Sequence, residues 1–437
     1  MKLLLLLSVL CVSVLIQASQ QDVDRYLDAY RAIITPKDND TEPVPGFLEQ
    51  LPGYECSQQP VWPGETRFSF PCAPLAKSAK KPTSVHYLRP GDVDLIGALG
   101  DSLSAANGAD ACFLPELAYM YRGRCFSSGA DGSYATNPTL ANILLKYNPD
   151  LKGYSLRTNW WTVPEAGFNV AIPGAVADDM PEQARAIINK MKEEETIDFD
   201  NDWKVITLFI GGNDLCNWCN SQGVERPTRT PEAFTGYIEE ALQILYDGMP
   251  RAFVNVVSVL QVHQVSKMTG RICDAFHYAW CEDGMVFPEE TLAQTRRYHV
   301  AVRDMVNSGK FDDREDFAVV IQPFLEETQL PELEGGEADL SYFAPDCFHF
   351  SSKAHAVAGK ELWNNMNQKE GEKSNQWDAR SDELLCPTEE FPYLYTRKNS
   401  EDDFDITPPG DGSSGVTAVR LTTVLLAIVS FVLSTYH

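Results

Sequence analysis

Val93-Asp94-Leu95-Ile96-Gly97-Ala98-Leu99-Gly100-Asp101-Ser102-Leu103-Ser104 is an apolar run of strand length that ends in Gly-Asp-Ser-Leu. Its length fits a buried parallel strand, and Gly100 supplies the backbone freedom for a sharp exit. Ser102 then stands at the carboxyl end of a strand, where open α/β sheets carry their sites. Four further runs of the same kind follow, so that strands are expected at Asp94–Leu99, Phe168–Ile172, Val205–Ile210, Phe253–Leu260 and Phe317–Phe324. Helical spacing recurs between and after them, at Leu114–Tyr121, Pro138–Tyr147, Met180–Glu194, Pro231–Tyr246, Leu292–Ser308 and Ser352–Asn367. Strands alternating with helices predict an α/β fold: a five-stranded parallel sheet covered on both faces.

The ends of the chain differ from this middle. Met1-Lys2 followed by a leucine-rich run and Gln17-Ala18-Ser19 has the form of a signal peptide over residues 1–19, too short and too soon followed by polar chain for a membrane span. Residues 20–35 carry a short amphipathic helical pattern. From Pro36 to about Pro90 the chain is proline-rich without a sustained period, so residues 20–90 read as a disulfide-tied extension. The regular domain is expected over residues 91–370 and an acidic tail or stalk over 371–412. Residues 413–437 hold small residues and a terminal apolar run, the pattern of a removed glycolipid-anchor signal, with a short membrane helix as the competing reading. The formal charge of −26 argues against nucleic acid and anionic lipid as partners.

Cys11 leaves with the signal. Ten cysteines remain, at Cys56, Cys72, Cys112, Cys125, Cys216, Cys219, Cys273, Cys281, Cys347 and Cys386. An even number in a secreted chain implies disulfides. Pairing of neighbours (56–72, 112–125, 216–219, 273–281, 347–386) is expected, because each loop would be short. Cys216-Asn217-Trp218-Cys219 could also be a redox motif or half a zinc site, but no second close cysteine pair or histidine cluster completes a metal site. Asn39-Asp40-Thr41 is the one glycosylation sequon, since Pro138 blocks the one at Asn137.

Acyl transfer needs a nucleophile, a base, a group that orients the base, and donors for the oxyanion. Ser102 is the candidate nucleophile. Among the histidines, His349 stands out because Asp346 precedes it by three residues in a loop begun by Pro345. That spacing lets the carboxylate fold back onto Nδ1–H and leaves Nε2 for the serine. His355 has no such partner and reads as structural. The oxyanion donors would be the N–H groups of Ser102 and Gly174 and the side-chain amide of Asn213, each after a strand. Asp101 and Asp214 read as supporting hydrogen-bond acceptors. No Gly-x-Ser-x-Gly is present, so the α/β-hydrolase elbow is not the model. Phe113, Trp160, Trp161 and Phe348 are candidates to line an acyl pocket, or to be core.

Gly100-Asp101-Ser102-Leu103, Gly174, Gly212-Asn213-Asp214 and Asp346-Cys347-Phe348-His349 together resemble the four blocks of the GDSL/SGNH hydrolases. The longer stretches Ile206 to Cys216, Asp346 to Ser351 and Leu362-Trp363-Asn364-Asn365-Met366 are similar to the membrane-associated phospholipase B branch. The resemblance spans roughly residues 90–370. It implies a flavodoxin-like three-layer α/β/α fold and serine-dependent ester hydrolysis without metal or other cofactor. It further implies phospholipid and lysophospholipid substrates, cleaved at either acyl position. An esterase for small or carbohydrate-linked esters, or a non-catalytic binding protein on an inherited fold, are the rival readings. The expected location is the extracellular face of the plasma membrane, through the C-terminal anchor.

Overall fold

The computed structural model describes residues 68–408 except 74 and 113. The signal, the amphipathic stretch, Asn39, Cys56, Phe113 and the anchor signal therefore lie outside the described residues. The chain divides into two units near Phe404, and of the second only residues 405–408 are described.

Five parallel strands form one sheet: β1 (Val93–Gly100), β2 (Phe168–Asn169), β3 (Trp203–Phe209), β4 (Ala252–Val257) and β5 (Phe317–Gln322), in the order β2-β1-β3-β4-β5. Nearly every strand residue is buried, as expected for a parallel sheet covered on both faces. Register sets Gly97 beside Ile206 and Thr207 beside Asn255. Alternation then sends these two pairs to opposite faces.

Each face meets its own helices. On one side lie α1 (Leu140–Tyr147) and, at the end of the domain, α8 (Ser352–Met366); Tyr147 stacks on Trp363, and Asn255 Nδ2 reaches Met366 Sδ. On the other lie α2 (Met180–Glu193), α4 (Pro231–Gly248) and α7 (Pro288–Asn307), packed in that order. Helix α2 shows why. Met180, Ala184, Ile187, Ile188 and Met191 recur on one face and are buried. Ile187 lies against Gly97, where a β-carbon would come within 2.8 Å of it. The result is the three-layer α/β/α architecture expected from the sequence.

Three differences are instructive. The second strand is regular for only two residues, because Val170 and Ile172 continue up the side of β1 by single bonds to Ala98 O and Gly100 O. Leu114–Ala118 is a 3₁₀ turn rather than an α-helix. The helix α5 (Arg271–Trp280), followed by α6 (Glu282–Val286), lies outside the helices expected from the sequence, although Ile272 and Phe276 recur on its buried face; a disulfide also ties it to the site loop. The short α3 (Gly212–Cys216) follows β3 directly.

The cysteine pairing corrects the sequence expectation. The bonds are Cys72–Cys386, Cys216–Cys281 and Cys273–Cys347, spanning 314, 65 and 74 residues; Cys112 is also disulfide-bonded. Cys125 and Cys219 are free thiols, not disulfide partners. The reason is spatial. A parallel sheet brings loops distant in sequence to one edge, so that Cys216, at the end of α3, meets Cys281 before α6 with Cα atoms 4.1 Å apart. Cys219 is buried, with its thiol pushed up to about 12 by burial and by Asp283. Chain beyond Glu370, read from the sequence as a tail, lies against the domain where it is described: Leu394 is fully buried and its N–H bonds Leu88 O.

Candidate active site

The strand order reverses between β1 and β3, and the carboxyl ends beside that point are where open sheets place ligands. Four of the loops leaving this edge carry the residues singled out above.

Gly100 ends β1 with φ +152°. A β-carbon there would fall 2.3 Å from Phe209 O and 2.4 Å from Ser104 Oγ, so this exit requires glycine. Gln183 of α2 grips the same residue on both sides, accepting from Gly100 N and donating to Gly100 O, both at 2.9 Å. Ser102 follows, 7% exposed, in a tight turn closed by Asn107 N to Ser102 O (2.9 Å). Asp101 points inward and accepts Leu103 N at 2.8 Å; burial pushes its carboxyl up to about 6.

Gly174 sits in the loop after β2 with φ +81°, exposed, and nothing lies within 4 Å of where a β-carbon would stand. Asn213 is the second residue of α3, which follows Gly211 with its φ of +120°. Asn213 Nδ2 donates to Ala175 O at 2.9 Å, which ties the two loops together and leaves its second N–H for another acceptor. Asp214 accepts Ala177 N at 3.0 Å and faces Arg229 at 3.5 Å; burial pushes its carboxyl up to about 7 against the pull of that arginine. Both aspartates are thus acceptors that brace the loops. Among the described residues the N–H groups of Ser102 and Gly174 donate to no backbone carbonyl.

The fourth loop holds Asp346 and His349. His349 Nδ1 lies 2.6 Å from Asp346 Oδ2, while Asp346 Oδ1 accepts the N–H groups of Phe348 (2.9 Å) and His349 (3.0 Å). The carboxylate is fully buried. Burial alone would push it up; the charge and hydrogen bond of His349 and the two N–H bonds outweigh that and hold it below the usual carboxylate range. The Nδ1 contact leaves Nε2 as the ring nitrogen available to a reacting group.

This loop has supports that sequence reasoning missed. Cys347, between the two residues, is tied to Cys273 of α5, and His277 Nε2 donates to Cys347 O at 2.9 Å. Trp280 sets its ring edge-on to His349 at 5.6 Å. Cys273, His277 and Trp280 recur at helical spacing, which was the available signal. His355 is buried, stacked on Phe126, and pushed down to about 3 by burial, so it stays neutral.

An open, largely apolar groove lies beside these residues. Ser102 and Asn213 line it, together with Leu260, Val265, Met268, Phe348, Trp377 and a few glutamines. Of the four aromatic candidates Phe348 is in the wall, Trp160 is an exposed surface residue and Trp161 packs on the core.

A parallel α/β sheet with a serine, an Asp-x-x-His loop and a Gly/Asn pair at its carboxyl edge defines a class of ester hydrolases. The chain belongs to the GDSL-like lipase/acylhydrolase family, whose model matches residues 96–362. It is 41% identical over 342 residues to the human protein named "Phospholipase B1, membrane-associated" and 40% identical over 344 residues to that of Rattus norvegicus. These matches cover 75% and 76% of the chain but only 23% of either relative. The crystal structure of an extracellular lipase from Streptomyces rimosus is 15% identical, with a TM-score of 0.27, covering 62% of this chain and 98% of that one.

Proposed function

We propose that the chain is a serine-dependent hydrolase of lipid carboxylic esters, a phospholipase B and lysophospholipase that releases fatty acids from glycerophospholipids. The observation that carries the lipid reading is the cavity beside Ser102. Its wall is largely apolar, as sites for apolar ligands are. The curated relatives' name supports the same substrate class.

In this reading His349 Nε2 takes the proton of Ser102 Oγ as the oxygen attacks the ester carbonyl. Asp346 keeps the ring in the needed tautomer and stabilises the imidazolium that forms. The oxyanion accepts from Ser102 N–H, Gly174 N–H and the free N–H of Asn213. One such donor is worth about 3–4 kcal/mol in acyl transfer elsewhere. His349 then gives its proton to the departing alcohol, and water attacks the acyl-enzyme by the reverse route. No step calls on a metal or cofactor. The disulfides favour an oxidising compartment. With the leader and terminal apolar run of the sequence they support the extracellular membrane face, with anchorage by glycolipid; among the described residues no helix is long and apolar enough to cross a membrane.

The test is hydrolysis by the secreted chain of a long-chain phosphatidylcholine, its lysophospholipid and a short p-nitrophenyl ester. Fatty acid should be released from both lipids, and Ser102→Ala should lower kcat about 10⁴-fold or more. Turnover of the short ester alone would sink the lipid assignment.

A further inference from the structure

Behind the loops that carry Ser102 and Gly174 lies a buried cation without an anion. Arg122 is fully buried, and among the described residues no carboxylate pairs with it. Burial pulls it down to about 10, so it remains protonated at neutral pH. A buried charge is costly unless hydrogen bonds compensate it. Here they are all to neutral acceptors. Nε donates to Asn159 O (3.1 Å), Nη1 to Asn169 Oδ1 (2.7 Å) and Asn169 O (3.4 Å), and Nη2 to Ala171 O (2.7 Å).

Asn169 extends the clamp to the nucleophile. Its Nδ2 donates to Ser104 O (2.7 Å) and Ser128 Oγ (3.0 Å), and its Oδ1 accepts Ala171 N (3.1 Å). One side chain thus joins a residue two past Ser102 to a residue three before Gly174. The peptide after Ala171 closes the circuit: its carbonyl accepts from Arg122, while its N–H, on Ile172, donates to Gly100 O at 3.1 Å. A cation on the carbonyl polarises that peptide and strengthens the bond its N–H makes. Plain filling of space would need only an apolar residue here. A planar fork that meets the carbonyls of both Asn169 and Ala171 does more: it holds the segment after β2 and the Asn169 amide that reaches Ser104 O.

We propose that Arg122, acting through Asn169, is a positioning residue for ester hydrolysis at Ser102, holding the oxyanion donor Gly174 in register with the nucleophile's turn. The proposal rests on the hydrolase reading above.

The experiment compares wild type, Arg122→Lys and Ser128→Ala on a short p-nitrophenyl ester, with active sites titrated by the acyl-enzyme burst. Arg122→Lys keeps the charge and loses the fork; Ser128→Ala removes one anchor of Asn169 and leaves the core filled. Arg122→Lys should lower kcat per titrated site about 10- to 100-fold, because small misplacements cost that much. KM should stay within about 2-fold, and affinity for an alkyl boronic acid that adds to Ser102 should fall by the same factor as kcat. Ser128→Ala should show a smaller fall with the same split. A merely structural role would reduce the number of titratable sites and the melting temperature while kcat per site held. Wild-type kcat per site in Arg122→Lys would overturn the proposal. If that variant fails to fold, wild-type kcat per site in Ser128→Ala does so. Absence of turnover in the wild type would instead remove the reading of the site itself.

Discussion

Asp101 and Asp214 show what a single residue pays and what it does in this site. Each is buried, each accepts a backbone N–H of a loop next to a proposed reacting group, and each is held above the ordinary carboxylate range by burial. Asp101 has no cationic partner among its hydrogen bonds, so its titration reads most directly. A carboxyl near 3.8 when unfolded and near 6 when folded binds more protons in the native state between those values. Stability therefore falls as pH rises from about 4 to 6 and is level above that. Asp101→Asn removes the cost and keeps an oxygen for Leu103 N. Its gain over wild type should grow between pH 4 and 6, then plateau at no more than about 3 kcal/mol. Urea titrations at a series of pH values check this; a gain independent of pH would show that burial of the charge is not the cause.

At the scale of elements, the Asp346–His349 loop is the least self-sufficient part of the site. Cys347 adopts φ +57°, a left-handed conformation that costs a non-glycine residue about 1–2 kcal/mol. Helix α5 supplies what offsets it: the Cys273 disulfide, the His277 bond to Cys347 O and the Trp280 ring against His349. Cys273→Ser should lower stability by about 2–4 kcal/mol. It should also lower kcat of the folded enzyme, since the loop can then relax from its strained turn. Cys72→Ser is the control, because the Cys72–Cys386 bond joins the ends of the domain away from these loops. It should lower stability without changing kcat of the folded fraction. Equal effects of the two on kcat would show that the α5 tie has no special relation to the site.

Over the whole molecule, the segment after Glu370 works as part of the domain. Trp377 lines the cavity and packs on Phe350, Trp363 Nε1 donates to Leu385 O at 2.7 Å, and Leu394 has no exposure. Burial of this kind is worth about 1.5–3 kcal/mol for each large apolar side chain. A chain cut after Glu370 should therefore lose its cooperative melt and its turnover of long-chain esters, whereas a chain cut after Pro408 should keep both. Thermal unfolding of the two truncations, read beside long-chain ester hydrolysis, decides it. An intact melt for the shorter chain would mean that the segment only decorates the surface.

The local grammar of this chain was legible from residue order. Gly100 before Asp101-Ser102, apolar runs of strand length, helical spacing in Met180–Glu193 and a carboxylate three residues before His349 all act within a few residues of themselves. Backbone sterics and side-chain periodicity are local, so a linear reading reaches them. What links distant residues was decided by the tertiary structure alone. Cys216–Cys281 and Cys273–Cys347 pair because a parallel sheet gathers remote loops at one edge, and Cys72–Cys386 because the segments before and after the sheet pack together. The amphipathic spacing of α5 marks a helix but not which loop it supports, and the acidic composition after Glu370 concealed how deeply Leu394 is buried. Nothing local to Arg122 in the sequence marks its burial, which comes only when the fold encloses it. Burial and pairing depend on which surfaces meet, and that is settled only when the whole sheet and its helices close together.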